Sequence, residues 1–150
     1  MRAGPCLAAF LALGLAGSTD AGAQNKTSRY GVDLDVKTFP QGTAKETLAS
    51  LVKAAESGKM AYLTAQLADP GFVDDRVKRI YGGKFEEQVQ DTSSRLDPLT
   101  VKRLKRLLKD GKWTIDKTSA SVTLEDGRDK GVRFVKKAGR WYMEHRFVEP

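Results

Sequence analysis

Cysteine is almost absent: the 150-residue chain has one, Cys6. One cysteine makes no disulfide within a chain. Cys6 also precedes the apolar run beside it, so it is not a lipid-carrying cysteine, which would follow such a run. Histidine is equally scarce, with His145 alone. No set of His and Cys at ligand spacing exists, so the sequence supports no metal site and no cofactor. Gly-rich phosphate loops, a G-x-S-x-G elbow, internal repeats and low-complexity tracts are also missing, which removes the common signatures of nucleotide and acyl chemistry. The apolar run Cys6–Ala16, "CLAAFLALGLA", has eleven residues. A membrane-spanning helix needs about 20.

That short run has a different reading. Met1-Arg2 gives a positive start, the run gives an apolar centre, and Ala21-Gly22-Ala23 gives a small-residue cleavage site. This is the three-part pattern of a secretory signal. The expected product starts at Gln24 and is secreted or periplasmic. The net charge of +7 survives cleavage, because Arg2 and Asp20 leave together. A basic balance favours anionic surfaces without naming a partner. The rest of the chain is long enough for one domain with a real core, which must be held by packing. The expected division is a signal over 1–23, an extended leader over 24–42 and a single α+β domain over 43–150.

Gly31–Lys37, "GVDLDVK", alternates apolar and charged residues and predicts a short strand or an extended segment on the core. Thr43 with Glu46 forms a capping box, followed by Ala44, Leu48, Leu51, Val52 and Ala55 on one helical stripe. Gly58 stops that helix, and a second runs from Lys59 to Ala68 with Met60, Leu63 and Leu67 inward. Asp69-Pro70-Gly71 breaks it. Phe72–Arg95 reads as helix in two pieces around Gly82-Gly83. Asp97-Pro98 opens another helix, with Val101, Leu104, Leu107 and Leu108 as its buried stripe.

After Gly111 the apolar period changes to two, and Lys112–Phe147 predicts a four-stranded antiparallel meander. Loops at 116–119, 126–128 and 138–139 would pair Trp113 with Val122, Ile115 with Ala120, Val122 with Val132, Ala120 with Phe134 and Phe134 with Met143. They also set Arg133 opposite Glu144. Three separate turns thus produce one apolar face, on which Trp141, Met143, His145 and Phe147 lie together. Tyr142, Glu144 and Arg146 take the other face. Helices followed by a curved antiparallel sheet define an α+β fold.

Two stretches, "AAESGKMAYLTAQLADP" (54–70) and "VRFVKKAGRWYMEHRF" (132–147), resemble the paired opening helices and the closing hairpin of the nuclear transport factor 2-like (SnoaL-like) superfamily. The resemblance extends over about residues 43–147. It implies a cone-shaped fold whose members include isomerases, dehydratases and polyketide cyclases beside proteins that only bind or assemble. Enzymes of that kind place an Asp, His or Tyr inside the cone. By location His145 is the candidate for an isomerase or lyase. A general base also needs a group to orient it, and a lone histidine on an apolar face is more often a wall residue.

The leading reading is an exported, non-catalytic domain. Trp113, Phe134, Trp141, Met143 and His145 are its candidate contacts for a small apolar ligand. The second alternative is an adaptor for anionic envelope surfaces. It rests on the basic helix over 100–112, where Lys102, Arg103, Lys105, Arg106 and Lys109 oppose the leucines. No aromatics are interleaved to stack bases, so nucleic acid is not an expected partner; a homodimer is compatible with the sequence. Asp33 and Asp35 share one face of an extended segment, but a hard cation needs six or more oxygens, so a solvated face is the reading there. Asp74-Asp75, near Asp69, reads as helix-start chemistry.

Overall fold

The computed structural model describes residues 28–126 and 130–148. The signal over 1–23 with its cleavage site, residues 24–27 of the leader, Gly127 and Arg128 of one sheet loop, and the side chains of Arg146 and Phe147 lie outside the described residues. The architecture is α+β: helices packed on an open, curved, four-stranded antiparallel sheet.

Helix α1 (Ala44–Glu56) begins at its capping box. Thr43 Oγ1 accepts from the Glu46 N–H at 3.1 Å, and the Glu46 carboxylate accepts from the Thr43 N–H at 2.9 Å. Leu48, Leu51 and Val52 are buried. Gly58, at φ +68, supplies the left-handed residue that reverses the chain. Helix α2 (Met60–Tyr62) passes directly into a π-helical turn (Leu63–Leu67), closed by the Ala68 N–H donating to the Leu63 carbonyl at 3.0 Å. All five residues of that turn are buried. A 3.6-residue period reads this stretch as ordinary helix, because one widened turn barely changes the spacing.

Asp69 does more than end that segment. Its carboxylate accepts from the Gly71 N–H at 3.2 Å and caps α3 (Pro70–Arg79), with Pro70 at the first helical position. Helix α4 (Phe85–Arg95) follows Gly82 and Gly83, both at positive φ. Asp97 caps α5 (Pro98–Asp110) by accepting from the Thr100 N–H at 2.7 Å. Leu104 and Leu107 are buried as expected, while Val101 and Leu108 are half-buried. Gly111 then lies so close to α5 and the sheet that a Cβ would overlap the Leu107 carbonyl and the Val122 side chain.

The sheet runs β1 (Lys112–Ile115), β2 (Ser119–Thr123), β3 (Gly131–Lys137), β4 (Arg140–Val148) in that spatial order. Its register is the one expected: Trp113 opposite Val122, Ile115 opposite Ala120, Ala120 opposite Phe134, Val122 opposite Val132, and Phe134 opposite Met143. Arg133 and Glu144 form an ion pair at 3.5 Å. The hairpin turn at Ala138-Gly139 has both residues at positive φ, matching the twist of its strands. Two details differ. Ile115 remains 62% exposed, because β1 is an edge strand whose end no other element covers among the described residues. Tyr142, on the face opposite Trp141, is itself buried, with the Arg140 guanidinium 5.2 Å above its ring.

The leader forms no regular strand. Arg29 and Val32 make a single bridge across a turn at Tyr30-Gly31, and the alternation ends at Asp35, whose carboxylate accepts from the Thr38 N–H at 3.0 Å. Val32 and Leu34 are half-buried, so the segment does lie on the core. Val36 is exposed.

One core joins α1, the π turn, α5 and the sheet, through residues such as Leu51, Leu63, Leu107, Val122, Phe134 and Trp141. A second, smaller one gathers Ala65, Val73, Val77 and Phe85 beneath α3 and α4. The outer edge of β4 is closed by the leader. The Trp141 N–H donates to the Gln41 carbonyl at 3.1 Å, and Gln41 Nε2 donates to the carbonyls of Trp141 at 2.8 Å and Gln66 at 2.9 Å. Farther along, the Asp69 N–H donates to the Met143 carbonyl at 2.9 Å.

Gln41 is therefore expected to be far more sensitive than its place before the first helix suggests. Gln41→Leu keeps the volume but strips donors from buried carbonyls, and should cost on the order of 2–3 kcal/mol. Gln90→Leu, on the exposed side of α4, should stay within about 0.5 kcal/mol. Urea melts of the two variants compare them directly.

Candidate functional site

Between the helices and the far end of the β3–β4 hairpin lies a cavity of about 320 Å³. Its floor is apolar. The π turn contributes Leu63, α3 contributes Phe72 and Val73, α5 contributes Leu104, and the sheet contributes Val132 and Met143. Each is placed by an ordinary local cause: Phe72 and Val73 by the Asp69-Pro70 start of α3, Leu104 by the 3.6-residue stripe of α5, Met143 by strand alternation.

Met143 and His145 line this cavity; Phe134 and Trp141 do not. Those two rings are buried in the core, and Trp113 leans against Phe134 at 5.7 Å between centroids. The three large aromatics therefore fill the inside of the sheet, and the cavity opens beyond them. His145 reaches it through an irregularity in β4. Phe134 pairs with Met143 but Val132 pairs with Phe147, so three residues of β4 face one of β3. The bulge sits at His145, and bulges commonly re-aim side chains beside functional clefts. The imidazole stacks on Phe72, centroids 4.3 Å apart and planes 15° from parallel, while much of its surface remains open to solvent.

The remaining wall is ionic. Asp91 on α4 receives Arg95 Nε at 3.0 Å and Arg76 Nη2 at 3.3 Å. Arg76 also donates to Gln88 Oε1 at 3.3 Å and to the Tyr81 hydroxyl at 2.9 Å. Burial acts to raise the Asp91 pKa, but hydrogen bonds from Tyr81 and Arg95 and the charges of both arginines outweigh it and hold the carboxyl below its ordinary value. Asp91 is thus a charged tie. The His145 pKa is lowered, first by burial and then by the charges of Arg76 and Arg95, against the opposing pull of Asp91. Arg103 completes the wall from α5.

Arg76, Asp91 and Arg95 escape sequence reasoning because charged residues on short helices look solvated. One signal was available. Gln88, Asp91, Thr92 and Arg95 recur at helical spacing, and all four line the cavity. Of the basic residues on α5, Lys105 and Arg106 form ion pairs with Glu56 and Asp126 at 2.5 and 2.6 Å, and Arg103 turns to the cavity. Among the described residues Lys102 and Lys109 form none. No group of three or more His, Cys, Asp or Glu suited to a metal ion occurs among the described residues.

A histidine whose folded-state pKa lies below its unfolded value of about 6.5 leaves the folded protein with fewer bound protons than the unfolded chain. Stability linked to His145 is then complete above about pH 6.5 and lost as the pH falls through that value. The fall in Tm between about pH 7.5 and about pH 5.5 should therefore be smaller in His145→Gln than in the wild type. His145→Ala should melt lower than His145→Gln at pH 7.5, since it removes the contact with Phe72. Calorimetry of the three proteins provides the comparison.

No family model, no curated protein and no solved structure matches the chain.

Proposed function

We propose that this protein is an exported, non-catalytic binding domain of the nuclear transport factor 2-like type that holds a small, largely apolar ligand. The observation that carries the reading is the cavity of about 320 Å³, with its apolar floor of Leu63, Phe72, Leu104 and Met143. Its volume falls at the lower end of the range for small-molecule sites, and a few convergent polar groups on apolar walls are their usual composition. Among the described residues the one carboxylate lining it, Asp91, is tied to two arginines and holds them in place. That is a use of charge for shape, and it supports binding over reaction. Export rests on the amino-terminal sequence pattern.

One observation favours a second reading, an isomerase or lyase with His145 as base: the imidazole lines the cavity, and its pKa is lowered. Turnover of an enolisable substrate that disappears in His145→Gln while binding persists would establish that role and displace the non-catalytic one. For the adaptor the geometry offers less, since Lys105 and Arg106 are engaged and Arg103 turns inward.

Two measurements test the proposal. Thr92 lines the cavity from a half-buried position on α4, so Thr92→Phe should fill the space without disturbing the fold. Calorimetric titration with 1-octanol should saturate for the wild type and show no binding for Thr92→Phe while that variant still melts cooperatively. Equal binding by both proteins would remove the cavity as the site. Intact mass of the exported form should correspond to a chain starting at Gln24; uncleaved protein in a membrane fraction would overturn export.

A further inference from the structure

The cavity wall carries an imbalance that ion pairing leaves unresolved. Among the described residues three guanidinium groups line it, from Arg76, Arg95 and Arg103, against one carboxylate, Asp91, while Asp97 acts on Arg103 by its charge from the neighbouring groove. Asp91 is already shared by Arg76 and Arg95. Arg103 has no part in that cluster, and its Nε is fully buried without a hydrogen-bond partner among the described residues. A buried guanidinium N–H left unbonded is costly, and native structures seldom keep one without a use for it. Arg103 lines the cavity, so a molecule bound there can supply the acceptor.

The field in the cavity sets the sign of that acceptor. Burial and the charges of Arg76 and Arg95 already disfavour a proton on His145, and they would disfavour a cationic ligand in the same way. A neutral acceptor would satisfy the hydrogen bond and leave the excess positive charge. A carboxylate answers both, and its two oxygens match the planar edge of a guanidinium.

Size and lining define the rest. At about 30 Å³ per water-sized group, a cavity of about 320 Å³ holds roughly ten non-hydrogen atoms. Leu63, Phe72, Leu104, Val132 and Met143 offer those atoms only apolar contact. Arg103 also borders the surface groove made by Asp97, Leu99, Thr100, Lys102 and Arg106, so it stands where the cavity meets solvent. A ligand entering there would leave its charged end at Arg103 and its apolar body inside.

Building on the binding reading above, we propose that the ligand class is a small amphipathic monocarboxylate of roughly ten non-hydrogen atoms, its carboxylate paired with Arg103 and its apolar part between Phe72 and Met143.

The test titrates the full chain with three probes of one length: octanoate, 1-octanol and octylammonium. Octanoate should bind the wild type on the order of tenfold or more tighter than 1-octanol, the scale of one charge-assisted hydrogen bond. Octylammonium should bind weakest. Arg103→Gln should bring octanoate down to the level of 1-octanol, with at most a small change in 1-octanol affinity and no fall in Tm, since the costly unbonded Nε has gone. Arg103→Lys, which keeps the charge but lacks the planar edge, should fall between the two. Equal affinity for octanoate and 1-octanol in the wild type, or an octanoate preference retained in Arg103→Gln, would overturn the carboxylate class and leave the cavity as a binding site. Failure of all three probes to bind the wild type would overturn the cavity reading and the carboxylate class together.

Discussion

The structure depends on how the outer edge of β4 is closed. Strand β4 is the last in the sheet, and an open edge presents backbone groups to any passing strand. Here the edge is occupied by non-strand chain. Gln41 mimics a neighbouring strand residue, its carbonyl accepting from Trp141 and its amide donating back. The same amide satisfies the Gln66 carbonyl in the π turn, and Gln66 Nε2 donates to the Val32 carbonyl at 2.8 Å. Both glutamines are almost fully buried. One polar network thus fixes the leader, the widened turn and the sheet edge relative to one another, and the cavity wall is built on that junction.

The π turn and the β4 bulge belong together in this frame. Ala68 bridges Met143, so the end of the widened turn is attached to the strand just before the bulge. The turn delivers Leu63 and the strand delivers Met143 to the same cavity. Neither irregularity interrupts the hydrophobic pattern, so each alters direction without costing core. The ionic wall behaves likewise: Asp91 keeps two arginines from separating, and their positive charge is held at the partly open side of the cavity.

Much of the fold was legible because local rules agreed. Thr43 with Glu46, Asp97 with Pro98, and the three hairpin connections each fix a boundary by short-range chemistry, and the strand pairs then follow by counting. The leader was harder, since Val32 and Leu34 alternate like a strand while the Asp35 carboxylate holds a turn. Strand alternation reads His145 as a residue of the inward face, and it lines the cavity. Its stacking on Phe72 joins positions far apart in the chain through a strand irregularity that no spacing announces. Phe134 and Trp141 looked like ligand contacts because a large aromatic facing inward serves equally as core. The difference is set by how much space the helices leave, which pattern alone does not encode.

The Gln41–Trp141 contact also governs when the molecule can be completed. Its two residues are 100 positions apart, and the strand they protect follows β1, β2 and β3 in the chain. The leader can already dock on the π turn through Gln41 with the Gln66 carbonyl and Gln66 with the Val32 carbonyl, but its bonds to Trp141 need β4. Helices and the first strand pairs can form from neighbouring segments, whereas closure of the edge waits for the final hairpin. Pairing of β4 with the leader therefore joins two segments about a hundred residues apart, in addition to the contacts the leader makes with the π turn.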